Sequence, residues 1–211
     1  MKFDKIVNSK FYEFMKILST ITFLHVLWVL LVVLGLFVFT FYPATLAVHT
    51  SMSNLIYKKD QNIIKNFIKV FKSEYVKSQK IFIPILLIIG LLVFNFLFFF
   101  NQVSTNQSIF NYFGYYITII LLIYSVVFIA TSFIIYPLKT GVVIEHYKLV
   151  VRYNLLFPFN SILMLTSLLL SIIMIYLFIA FTVFIGIPIM VGSNILITSK
   201  SINKYQTLLS K

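Results

Sequence analysis

The three histidines are the side chains best suited to proton transfer or metal binding, because imidazole titrates near neutral pH and ligates many metals. His25 and His49 lie in a stretch without charged residues, and His146 follows Glu145. A zinc site needs three or four ligands that converge, but the chain has no cysteine and only five acidic residues. We therefore expect no metal, no cofactor and no catalytic residues, and the sequence predicts a protein that is not an enzyme.

Three polar side chains lie deep in apolar segments, namely His25, Asn95 and Asn194. The long apolar segments contain no acidic or basic residue, whereas coupled pumps place such residues inside the membrane. Neutral polar groups in a membrane usually hydrogen-bond to a neighbouring helix. We expect that role for all three, with contact to a neutral solute as the alternative.

The composition predicts that most of the chain lies in a membrane. Of the 211 residues, 61% are apolar and only 10% are charged, whereas soluble domains carry about 25% charged residues. The charges occur only in residues 1–16, 58–80, 139–152 and 200–211. The intervening apolar segments are long enough for helical crossings, which need about 20 residues each. The sequence thus predicts an all-α, polytopic transmembrane helical bundle.

We expect a single membrane domain over residues 1–211, with about five spans. The predicted segments are an interfacial N-terminal segment (1–16), a span plus a short helix (17–57), a basic amphipathic helix (58–80), two spans (81–138), a cytoplasmic turn (139–152), a helical hairpin (153–199) and a C-terminal tail (200–211). In the amphipathic helix, apolar residues recur at helical spacing and most lysines lie off that face. We expect this helix to lie on the membrane or on a partner.

The net charge is +12, and the placement of the basic residues predicts an orientation of the chain in the membrane. Basic segments beside apolar runs stay in the cytoplasm and bind anionic lipids, so this placement argues against a nucleic-acid partner. Residues 58–80, 139–152 and 200–211 are then cytoplasmic, and the uncharged polar loop 101–111 is outside. We therefore expect a multi-pass membrane protein with a cytoplasmic C-terminus. The N-terminus is outside if residues 17–57 cross once, and inside if they cross twice.

A weak internal repeat favours the single crossing and five spans. A shift of 94 residues superposes Tyr42-Pro43 on Tyr136-Pro137, together with the apolar run before each pair. The same shift places Lys58 on Arg152. Parallel repeats would put both breaks on the cytoplasmic side. The four N-terminal lysines, by contrast, favour six crossings.

The chain resembles the YesL family of bacterial integral membrane proteins, a domain of unknown function, and its length and span layout fit over essentially the whole chain. The resemblance rests on His25-Val26-Leu27-Trp28, on Gly35, on the run from Phe39 to Ala47 that contains Pro-Ala-Thr, and on the basic pair Lys58-Lys59. Two positions depart from the family pattern, which tends to have Asn where His25 stands and Gly where Thr40 stands. The resemblance implies an association with carbohydrate uptake by ATP-binding-cassette (ABC) transporters in Gram-positive bacteria.

This resemblance, rather than any chemistry of the residues, leads us to expect an accessory subunit of an ABC carbohydrate importer in a bacterial cell membrane. The expected partners are its permease subunits or its ATPase. A stand-alone solute transporter or channel, or an envelope regulator, is the alternative. We expect the partner contact at the Tyr-Pro break and on the basic helix, and the predicted contact residues are Tyr42, Pro43, Ala44, Thr45, Ala47, Lys65, Lys69 and Lys72.

Overall fold

The computed structural model describes residues 10–57, 59, 62–105, 108–138 and 142–209, with the backbone alone at 175 and 179–184. The helices in these ranges are α1 (Lys10–Leu34), α2 (Phe41–Ile56), α3 (Ile63–Thr105), α4 (Ile109–Ile135), α5 (Val143–Leu156), α6 (Pro158–Leu177) and α7 (Ile179–Leu209). A short 3₁₀ turn, Tyr136–Leu138, links α4 to α5. Most of the predicted N-terminal segment 1–16 lies outside the described residues.

The prediction of an all-α protein is confirmed, since the described ranges contain helices and no strand. Four helical segments are long and apolar enough to cross a membrane: Lys10–Leu34, Ile63–Thr105, Ile109–Leu138 and Ile185–Leu209. The pair α5 and α6, bent by 96° at Phe157, supplies a fifth if it counts as one span. Large apolar side chains such as Leu34 and Phe110 are almost fully exposed on these helices, which suits a lipid environment.

The chain divides into two compact units, each with its own core. Unit 1 comprises Met1–Val76 and Thr166–Ser199, and unit 2 comprises Lys77–Leu165 and Lys200–Lys211. The core of unit 1 joins α1, α2, the start of α3 and part of α7, through residues such as Leu24, Val48, Phe67 and Val191. The core of unit 2 contains Ile135, Val150, Tyr153 and Tyr205.

Within unit 1, α1 and α2 pack against each other along their length. The Trp28 Nε1–H group donates to Thr45 Oγ1 at 2.9 Å, and Leu24 shares a core cluster with Val48 and Met52. Because only a short turn joins the two helices, contacts that extend away from this turn in both helices show an antiparallel hairpin. The predicted span plus short helix over residues 17–57 corresponds to α1, which ends at Leu34, and α2, which begins at Phe41.

Helix α3 differs from the prediction in its continuity. The expected basic helix 58–80 and the following span form one helix of 43 residues, which contains Pro84. At about 1.5 Å per residue the helix is roughly 65 Å long, more than twice the thickness of a hydrocarbon core. Its charged first part therefore cannot share the membrane interior with its apolar second part.

Residues 153–199, predicted as a hairpin, contain α6 and the larger part of α7, which are separated only by Phe178. A hydrogen bond joins the hydroxyl oxygens of Ser167 and Ser193 at 2.7 Å, one on each helix. The two serines lie 13 residues before and 13 residues after position 180, as antiparallel helices require. Pro188 lies inside α7.

The two Tyr-Pro pairs of the repeat adopt different local structures. Pro43 is in the first turn of α2, where its missing N–H group costs no helical hydrogen bond. Pro137 instead lies in the 3₁₀ turn between α4 and α5. Both pairs follow an apolar helix, but Tyr42-Pro43 lies within the first turn of the short helix α2, whereas Tyr136-Pro137 lies before the short helix α5.

Candidate functional site

The predicted contact residues of the Tyr-Pro break are buried in unit 1. Tyr42, Ala44 and Ala47 have no exposed surface, and Pro43 and Thr45 are also buried. In this conformation a partner could reach these side chains only if the helix packing of unit 1 opened. The small residues of α2 let other helices of unit 1 approach closely, and the partner contact at this break stays a prediction.

Thr45 has a structural role that the sequence did not reveal. Its hydroxyl accepts the Trp28 Nε1–H bond and donates to the carbonyl oxygen of Phe41 at 2.7 Å. The Trp28 ring also makes an edge contact with the Phe41 ring, with centroids 6.0 Å apart. Thr45 thus fixes the only tryptophan of the chain to α2.

Three lysines of α3 form an exposed surface, which we call the lysine face: Lys65, Lys69 and Lys72. Ile63 and Phe67, on the other side of the same helix, are buried in the core of unit 1. The apolar side of the predicted amphipathic helix is therefore partly occupied by the protein itself. Ile64 and Ile68 remain exposed beside the lysine face.

The three predicted intramembrane polar residues have different surroundings. His25 and Asn194 are buried in unit 1, and the His25 ring stacks on Trp28 with centroids 6.1 Å apart. Asn194 Oδ1 has no hydrogen-bond partner among the described residues. Asn95 is exposed on α3, so no helix among the described residues covers its side chain.

Unit 2 contains a polar network that sequence reasoning missed. Thr131 Oγ1 donates to Asn154 Oδ1 at 2.8 Å, and Ser161 donates to the same oxygen at 3.1 Å. The hydroxyls of Tyr153 and Ser201 lie 2.6 Å apart, and the Asn160 amide donates to both. The sequence feature that indicates this network is the neighbouring pair Tyr153 and Asn154. The pair lies at the end of a short helix, next to an apolar span.

The remaining histidines are buried in separate units. His146 Nε2 is 2.7 Å from Ser132 Oγ in unit 2. His49 lies in unit 1, and neither of its ring nitrogens has a hydrogen-bond partner among the described residues. In the part of the chain that the structure describes, no three His, Asp or Glu side chains converge as metal ligands. The buried polar side chains described above can therefore form hydrogen bonds as neutral groups, and the lysine face carries positive charge.

The helices and the exposed apolar surface define an integral membrane protein of the helical class. Residues 21–96 match a family model described as "Protein of unknown function, DUF624". The matched segment runs from α1 through α2 to Phe96 in α3, and it contains the Tyr-Pro break, the lysine face and Asn95. No curated protein and no solved structure was found to match the chain.

Proposed function

We propose that the chain is a non-enzymatic accessory subunit of an ABC carbohydrate importer in a bacterial cell membrane, with its C-terminus in the cytoplasm. The carbohydrate association rests on the resemblance to the YesL family. The match to DUF624 supports a family relationship over the first part of the chain and carries no function. The structural support comes from two exposed features of α3, one apolar and one basic.

Asn95 is the observation that carries the proposal of a membrane partner. Residues 81–105 form the apolar part of α3, and Asn95 is exposed near its middle among exposed neighbours such as Leu91 and Phe94. An amide in hydrocarbon without a partner loses the hydrogen bonds that water would give it. A helix of another membrane protein can supply those bonds, and such a contact contributes about 0.6–2 kcal/mol.

The lysine face supports a second contact outside the hydrocarbon. The three lysine side chains point away from the core of unit 1 and are free to meet an acidic surface. The permease and the ATPase of an importer are the proposed protein partners, and anionic lipid headgroups offer the same charge. Rim charges of this kind mainly raise the association rate and make binding sensitive to salt.

The test is co-purification from native membranes in a mild detergent, with Asn95→Leu as the variant. Loss of one interhelical hydrogen bond weakens association by about 3- to 30-fold, from 0.6–2 kcal/mol. Asn101→Leu is the matched control, because Asn101 is an exposed amide at the predicted outer end of the same helix. Recovery of importer subunits with wild type and control, but less with Asn95→Leu, supports the proposal. Equal recovery with all three contradicts a contact at Asn95.

A stand-alone transporter is the second candidate, and the buried polar groups of unit 1 favour it. Both ring nitrogens of His49 and the Oδ1 atom of Asn194 are buried and have no hydrogen-bond partner within the described ranges. Such atoms could interact with an uncharged solute on its way through the membrane. Purified protein in liposomes separates the two functions: sugar flux without any partner supports the transporter and contradicts the accessory role.

A further inference from the structure

Backbone groups in the turn between α1 and α2 form hydrogen bonds with one another. The Leu36 N–H group donates to Val33 O at 3.4 Å, and the Phe37 N–H group donates to Val32 O at 2.9 Å. This is the pattern of a Schellman cap, with Leu36 and Phe37 in the left-handed region at φ 56° and 53°. The Phe41 N–H group then donates to Phe37 O at 2.8 Å. Most of the turn therefore does not depend on water for its hydrogen bonds.

The surface of this turn is apolar and projects from unit 1. Leu34 is 79% exposed and Leu36 is 75% exposed, and Phe37 and Phe39 are also exposed. Residues 33–39 contain no polar side chain, whereas the predicted outer loop 101–111 is rich in Asn, Gln, Ser and Thr. A turn that met water would expose this apolar surface at a high cost in free energy.

The lengths of the two arms place the turn inside the hydrocarbon. From Lys16, the last charged residue of α1, to Leu34 the helix rises about 27 Å. The 16 residues of α2 return about 24 Å towards Lys59. A hydrocarbon core is about 30 Å thick, so each arm is slightly shorter than the core. With both ends of the hairpin at the same headgroup layer, the turn lies just short of the headgroups on the other side.

The burial of α2 explains how a short polar helix can return through hydrocarbon. Every residue from Tyr42 to His49 is buried, as are Ser51 and Met52. Polar backbone and side chains at membrane depth are tolerated where protein covers them. Helix α1 has few buried residues, so most of its surface is exposed.

We propose that α1 and α2 form a membrane-embedded hairpin whose apolar turn ends among lipid acyl chains of the outer leaflet. Both ends of the hairpin then lie on the cytoplasmic side, where Lys10, Lys16 and Lys59 follow the preference of basic residues for that side. The N-terminus is therefore cytoplasmic. This placement differs from the arrangement that the internal repeat favoured, and it does not depend on the proposed importer.

The test uses single-cysteine variants, which is direct because the natural chain has no cysteine. Intact cells are treated with a membrane-impermeant maleimide. We expect Ser104→Cys, at the predicted outer end of α3, to react from outside, and Lys16→Cys to react only after permeabilisation. Phe37→Cys should react in neither condition, but fully in denaturing detergent, which shows that its thiol is intact.

A second measurement identifies what covers the turn. A fluorophore on Phe37→Cys, in liposomes that contain lipids brominated on the acyl chains, should be quenched by the lipid and not by aqueous iodide. External labelling of Lys16→Cys or rapid labelling of Phe37→Cys would overturn the proposal. Protection of Phe37→Cys from both quenchers would also overturn it, because a protein would then cover the turn.

Discussion

The hydrogen bond between Trp28 and Thr45 gives the sharpest test of the α1–α2 hairpin. Thr45→Val keeps the shape of the side chain but removes the hydroxyl that accepts the Trp28 Nε1–H group at 2.9 Å. The indole N–H then stays in a partly buried site without its acceptor. A buried polar group that loses its partner costs about 1–3 kcal/mol. Because this bond is only partly buried, we expect about 1–2 kcal/mol.

Thermal unfolding in detergent measures this change. For a chain of this size, 1 kcal/mol lowers the Tm by about 2–4 °C, so Thr45→Val should lower the Tm by about 2–8 °C. Trp28 is the only tryptophan, so the intrinsic tryptophan fluorescence comes from this site alone. Loss of the hydrogen bond should shift the emission to shorter wavelength.

Thr50→Val is the matched control for this experiment. Thr50 Oγ1 donates to the carbonyl oxygen of Leu46 one turn earlier, just as Thr45 does to Phe41, but it has no bond to a tryptophan. Bonds of this type within one helix contribute little to stability. If Thr45→Val and Thr50→Val have the same Tm and the same emission as the wild type, the bond between the helices does not stabilise the hairpin.

Two further predictions concern the turn and the lysine face. Gly35→Ala should lower the Tm by several degrees, because a methyl group there would overlap the side chain of Thr40, whereas Gly90→Ala, where a methyl group meets open space, should be neutral or stabilising. Replacing all three lysines of the lysine face by Glu should reduce binding to vesicles with anionic lipids and co-purification with importer subunits, and should leave the Tm within about 2 °C, since surface charges contribute little to stability. Unchanged binding by a folded variant would contradict a role for these charges.

The fold class could be predicted because long uncharged segments allow few structures other than membrane helices. The α1–α2 hairpin is indicated only as the alternative of two crossings within residues 17–57, because its turn places Leu36 and Phe37 in a conformation that sequence patterns assign to glycine. The continuity of α3 was missed for a related reason. A change from amphipathic to uniformly apolar sequence suggests a boundary, but the helical backbone continues wherever no residue stops it.

The candidate site was harder to predict than the fold. Small residues such as Ala44 and Ala47 suit a docking surface and a tightly packed interior equally well, so their burial could not be inferred. In a uniformly apolar span, the sequence also gives no sign of which side faces protein. His25 and Asn194 therefore looked equivalent to Asn95, although the structure buries the first two and exposes the third.

The left-handed backbone at Leu36 and Phe37 makes the turn dependent on its solvent. For residues with a side chain, this conformation costs about 1–2 kcal/mol each. The free energy of transfer of a large apolar side chain from water to hydrocarbon is favourable by about 1.5–3 kcal/mol, which is comparable to or larger than that strain. In water the strain has no such compensation, and glycine would be the better residue at both positions. The stability of the turn therefore depends on both the chain and the bilayer. The left-handed backbone conformation and the insertion of the turn into the membrane are coupled in one equilibrium.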